Sequence, residues 1–385
     1  LRPAAPGAHR GLAAALTDSI DLHLSADVPT ALLLSGGVDS AAIAAVGRRL
    51  GRDLHCLTVA AEGAADESAE AERTATHYGH RFQQVRASVA DEDVTGFFAA
   101  MQRPSIDGLN TYLVCRAVRD AGFKVALSGL GGDEALGGYS HFRLLRYLRL
   151  LRAVARVPRA GTAPAAWLLG RSGLIREAKA RTLLGPDGPR DGWGLSLLQR
   201  EVLPCALASS LAGIASGALV QQLTPPGTRS GTSFGSLVDA EVAIYLQSTL
   251  LPDADAFSMT SSVELRVPFV DEPVFAAGLA SVGARGEPPG KASVGRSLDD
   301  PYLRALADRP KRGFSVPMRE WMAGPLAAVL AAAESPDAAV WSVIDRAAAC
   351  RAGLLPLRAQ DRWSQAWVIA ALNAWLESSY AVLRK

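Results

Sequence analysis

The chain has 385 residues, 49% of them hydrophobic, and a formal net charge of +2. That length and composition can bury a sizeable core in two or three domains, and the near-neutral balance argues against a polyanionic partner such as nucleic acid. No apolar run approaches the roughly 18 residues a membrane span needs and no signal peptide opens the chain, so the expectation is a soluble cytoplasmic protein without a membrane partner.

Residues 1–8 read as a flexible start. From His9 to Leu24 the apolar positions Leu12, Leu16, Ile20 and Leu24 form one helical stripe. Leu32-Leu33-Leu34 then reads as a buried parallel strand that runs through Ser35-Gly36-Gly37-Val38-Asp39-Ser40 into a helix over Ser40–Leu50. Two glycines allow a sharp turn and close approach of a ligand, and the free N–H groups of the helix start favour an anion. Asp39 would repel that anion unless a divalent cation lies between them, which makes magnesium pyrophosphate or polyphosphate the simplest occupant. The loop has no lysine, so it is not the GxxxxGK[ST] type.

A second strand is expected over Asp53–Ala60, and the acidic run Asp66–Glu72 opens a helix that Gly79 ends. A third strand over Arg81–Val85, helices over Asp93–Met101 and Leu109–Ala121, and a fourth strand over Lys124–Leu127 complete an alternating order. This predicts a parallel, twisted α/β sheet with helices on both faces and ligands at the carboxyl ends of the strands. The glycine loops at 35–40 and 128–133 both fall at such ends, so they face one pocket. Tyr139–Val157 reads as a helix whose arginines form a solvated face, and residues 159–230 read as helices joined by loops. Helix returns at Ser236–Leu250 and again at Asp361–Leu383, where Trp363, Trp367 and Trp375 form a core stripe. Cys56, Cys115, Cys205 and Cys350 lack zinc or disulfide spacing and are expected to be buried free thiols.

Four stretches in this order carry a resemblance: Ser35–Ser40, Leu127–Glu134, Ser262–Asp271 and Pro310–Phe314. Together they resemble the PP-loop ATP pyrophosphatase domain of asparagine synthetases, β-lactam synthetases and lasso-peptide cyclases, over most of residues 10–380. The resemblance implies domains at 9–140 (nucleotide-binding core), 141–235 (helical, loop-rich insertion) and 236–385 (helical part completing the active site). It implies ATP and magnesium as cofactors, with Leu34, Ser35, Gly36, Gly37, Asp39, Ser40, Val59, Ser128 and Gly129 on ATP and pyrophosphate. Asp39 and Asp133 would hold the metal. Lys311 would steady charge at the α-phosphorus, and only five of the 40 basic residues are lysines. Asp255, Glu264, Arg266 and Asp271 are assigned to the pocket wall or substrate.

Two departures bear on the substrate. Ala256 follows Asp255 where many asparagine synthetases have arginine, and Leu130 replaces a glutamate or tyrosine linked to the incoming amine. In the resembled family a glutaminase domain usually precedes this region, and the expectation is a synthetase without that internal ammonia supply. The implied activity is AMP-forming amide synthesis between a small-molecule or peptide carboxylate and an amine, in specialised metabolism such as antibiotic biosynthesis, with asparagine synthesis from ammonia as the alternative. A separate glutaminase or biosynthetic partner and a homo-oligomer stay open, as does a nucleotide-binding scaffold without turnover.

Overall fold

A computed structural model describes residues 11–61, 67–87, 89–147, 162–171, 179–180, 183–184, 191–200, 231, 233–283, 288–309, 317–357 and 363–383. Its frame is a parallel sheet in the order β3-β2-β1-β4-β5. The strands are β1 (Thr30–Leu33), β2 (His55–Ala61), β3 (Arg81–Ala87), β4 (Val125–Leu127) and β5 (Glu264–Arg266). Leu32 of β1 pairs with Cys56 on one side and Leu127 on the other. The chain therefore builds outward to β2 and β3 and then returns across β1 to β4, and such a reversal opens a crevice at the carboxyl ends of the two strands.

The first half interleaves α1 (Leu12–Leu24), α2 (Val38–Arg49), α3 (Ser68–Tyr78), α4 (Asp91–Ala100), α5 (Gly108–Asp120) and the short α6 (Gly132–Leu136) with these strands. Gly79 ends α3 in the left-handed conformation at φ 70°, as a glycine stop requires. Alternation along β1 splits the core: Leu32 and Leu34 join a cluster with α1 and α2, while Ala31 joins another with Leu57, Val59 and α5. α2 is buried from Val38 to Gly47, apart from the half-buried Asp39, which suits an alanine-rich helix packed on all sides.

The later helices are α7 (Thr162–Arg171), α8 (Gly192–Arg200), α9 (Phe234–Glu241), α10 (Leu251–Thr260), α11 (Glu272–Ala280), α12 (Ala292–Ser297), α13 (Pro301–Ala307), α14 (Met318–Ala323), α15 (Ala327–Glu334), α16 (Arg346–Arg351) and α17 (Trp363–Leu383). Trp367 on α17 is buried and its indole donates to the Ile106 carbonyl at 3.1 Å, while Trp363 and Trp375 pack on the same core.

Several expectations need correction. The helix expected from Tyr139 is a 3₁₀ segment over Ser140–Tyr147, with the rest of that stretch outside the described residues. The single helix expected over Ser236–Leu250 is α9 followed by a π-helical segment, Val242–Leu250, that continues into α10. The sequence shows no strand signal at β5, because Glu264-Leu265-Arg266 carries a charge at each end and lacks the apolar run that marks the equally short β4. Cys56 and Cys115 are buried, and burial pushes both thiols up to about 12, but Cys350 is exposed; Cys205 lies outside the described residues.

Candidate active site

β1 ends in a loop whose polar groups fold back on one another. The Leu34 N–H extends the pairing with β2 by donating to the Leu57 carbonyl. The Ser40 hydroxyl accepts the Ser35 N–H at 3.1 Å and lies 3.1 Å from the Ser35 hydroxyl, which accepts the Gly37 N–H at 3.2 Å. Gly37 caps α2, and the first intrahelical bond runs from Ala41 N–H to the Gly37 carbonyl. The N–H groups of Val38, Asp39 and Ser40 thus lie in the first turn, at the positive end of the helix dipole. One donor of this loop already serves an anion: the Gly36 N–H donates at 3.2 Å to the carboxylate of Glu67, at the start of α3.

The loop after β4 packs directly on the first. Ser128 N–H donates to the Arg266 carbonyl of β5 at 2.8 Å, and Gly131 turns the chain at φ 92° into α6. A side chain at Gly129 would meet Asp39, with a Cβ 2.8 Å from that residue's own Cβ. One at Gly132 would stand 2.6 Å from the Asp39 carboxyl carbon. Only glycine at these two places lets the loops touch.

This contact brings Asp39 and Asp133 together around one cation. The Lys291 ammonium lies 2.6 and 2.5 Å from the two Asp39 oxygens and 3.0 Å from Asp133 Oδ1. Burial alone would lower the Lys291 pKa, but the two carboxylates reverse this and hold it above its ordinary value. Two hard-oxygen ligands already converging on one positive charge are the donor set magnesium takes, usually with phosphates completing its shell. The residues present therefore fit the metal that the sequence implies.

Behind Asp133 lies a buried polar network. Tyr139 donates a 2.6 Å hydrogen bond to Glu134, whose carboxyl burial pushes up to about 7. The Arg200 guanidinium stacks 3.4 Å from the Tyr245 ring centroid and 4.8 Å from that of Tyr139, and it pairs with Glu241 at 2.6 Å. His141 takes the other Glu241 oxygen at 2.8 Å. Tyr245, on the π-helical segment, donates to Asp107 at 2.9 Å, beside the start of α5.

The remaining predicted residues are more dispersed. Leu34 and Val59 are buried near the ends of neighbouring strands. Asp255 is exposed on α10. Glu264 pairs with Arg266 at 2.8 Å, and Arg266 donates to the carbonyls of His23 and Ser25 at the end of α1. Asp271 accepts from Ser19 of α1 at 2.7 Å. Arg266 and Asp271 thereby brace α1, with Glu264 holding the Arg266 guanidinium. Lys311 lies outside the described residues. Sequence reasoning missed Lys291 and Glu67 as site residues. For Lys291 the scarcity of lysine was an available signal, since it applies equally to Lys311.

The model of the asparagine synthase family matches residues 11–377. The chain belongs to the asparagine synthase family. A Mycobacterium bovis protein, provisionally named a glutamine-hydrolyzing asparagine synthetase, is 30% identical over 335 residues, 81% of this chain and 48% of its own length. Asparagine synthetase [glutamine-hydrolyzing] 1 of Bacillus subtilis is 25% identical over 343 residues, covering 80% and 49%. The amidase chry2 of Gibberella zeae is 33% identical over 153 residues, covering 34% and 23%. The chain thus spans about half the length of the synthetase relatives it matches. The family match encloses both glycine loops, Lys291 and Lys311.

Proposed function

We propose that the chain catalyses ATP-dependent, AMP-forming amide-bond synthesis on a carboxylate substrate. The observation that carries this is the convergence of Asp39 and Asp133, from loops after two adjacent strands, on one cation at the start of α2. In the proposed reaction a carboxylate oxygen attacks the α-phosphorus and the bond to the bridging oxygen breaks, so that pyrophosphate leaves and an acyl-adenylate remains. An amine then attacks the acyl carbon, AMP departs, and the amine gives up a proton.

The first turn of α2, with Ser35, Gly36, Gly37 and Ser40, receives the pyrophosphate. Asp39 and Asp133 hold magnesium, which when bound offsets charge on the departing phosphates. Lys291, which bonds both aspartates here, turns to the phosphate oxygens once the metal takes its place. Ser128 and Gly129 take the adenosine beside Leu34 and Val59, and Lys311 steadies charge at the α-phosphorus and on the later oxyanion.

Leu130 is half-buried against the apolar cluster and has no group that takes a proton. This supports an unusual acid or an internal amine, as in specialised metabolism, over simple ammonia. The names of the synthetase relatives support asparagine formation from ammonia as the second reading. Exchange of labelled pyrophosphate into ATP, run with a panel of carboxylic acids, tests the proposal. AMP and pyrophosphate are the expected products; ADP and phosphate would contradict it.

A further inference from the structure

The Gly36 N–H is one of the donors that the proposed pyrophosphate cradle would use, yet here it is bonded to a carboxylate. Glu67 Oε2 accepts it at 3.2 Å from the start of α3. The approach is close throughout: a Cβ on Gly36 would lie 3.4 Å from Glu70 Cβ and 3.7 Å from Glu67 Cβ. Glu67 thus directs an oxygen at a phosphate-type donor. One N–H cannot serve a carboxylate and a phosphate at full strength together, and two anions at that separation repel.

The geometry points to Glu67 as an internal competitor of pyrophosphate. This rests on the reading of residues 35–40 as the pyrophosphate cradle, and it adds a residue that acts on product release. When ATP enters, the Glu67 carboxylate gives up the Gly36 N–H. When pyrophosphate is ready to leave, the carboxylate reclaims that donor and weakens the hold on the product. No bond is made or broken by Glu67, so it is a residue of binding and release rather than of the chemical step.

Calorimetric titration of magnesium pyrophosphate into the whole chain tests this, with Glu67→Gln, Glu67→Ala and Glu72→Gln compared. Glu72 is exposed on the same helix, so its variant removes an equal charge without touching Gly36. Both Glu67 variants are expected to bind magnesium pyrophosphate about tenfold more tightly, as loss of a charged competitor for one hydrogen bond implies. The Glu72 variant should match the unaltered protein. Unchanged or weaker binding in both folded Glu67 variants would overturn the inference and make Glu67 a brace of the loop. A parallel titration with magnesium and a non-hydrolysable ATP analogue separates the two levels. Normal analogue binding with unaltered pyrophosphate affinity sinks this inference alone, whereas failure of the unaltered protein to bind either probe removes the cradle itself.

Discussion

Lys291 reaches across 252 residues of chain to place its ammonium 2.5 Å from an oxygen of Asp39. Both side chains are more than four-fifths covered, so the pair is set in a low-dielectric pocket where a lone charge is costly. Replacing Lys291 by Met leaves two facing carboxylates. We expect the metal-free variant to lose about 3 kcal/mol of stability and to recover most of it in millimolar magnesium. Thermal melting with and without the metal reads this out; a variant indifferent to magnesium would show that the carboxylates do not form a cation site.

Gly132 makes the contact between the loops possible. Gly132→Ala would press a methyl group against the Asp39 carboxyl carbon. Overpacking of this kind costs about 1–3 kcal/mol. The larger expected effect is a loss of more than about tenfold in magnesium-ATP affinity, since the two aspartates are forced apart. Equilibrium binding alongside melting separates the two effects.

Glu241 gives the fold a dependence on acid. Its burial would raise its pKa, but hydrogen bonds and charge from His141 and Arg200 hold it down at about 2. Because the folded value is depressed, the contribution is fully present above the unfolded value near 4.5 and is lost as pH falls from there towards 2. Denaturation at a series of pH values should show Glu241→Gln less stable at pH 7, with a gap that narrows by about 3 kcal/mol on acidification. A gap constant from pH 6 to pH 2 would rule out the assignment.

Lys311 is assigned on sequence resemblance alone. Lys311→Ala is expected to slow turnover about 10²–10³-fold, by analogy with the loss of an oxyanion donor, with ATP affinity kept within about a few-fold. Normal rates in that variant would remove its catalytic role.

Much of the frame was legible because its signals are local. The apolar run at Leu32–Leu34, the glycine stop at Gly79 and the alternation of strand and helix each depend on neighbours within a few residues. The nearness of the two glycine loops also followed from topology, since parallel strands put them on one edge. What stayed hidden depends on distant partners. The acidic run containing Glu67 looked like a helix start, and it is one, but its bond to Gly36 is 31 residues away. Lys291 lies in a glycine- and proline-rich stretch with no motif, and its meaning appears only once Asp39 and Asp133 are beside it. The π-helical segment that carries Tyr245 has no sequence pattern distinct from an α-helix.

The central claim, that Asp39 and Asp133 act on one metal-bridged pyrophosphate, is tested most directly by a double-mutant cycle. Magnesium-dependent pyrophosphate affinity would be measured for Asp39→Asn, Asp133→Asn and the pair. Each single change is expected to lose about 10²-fold, and the double change little more than either alone, because both remove the same ion. Losses that simply add, or binding that never depended on magnesium, would contradict the account.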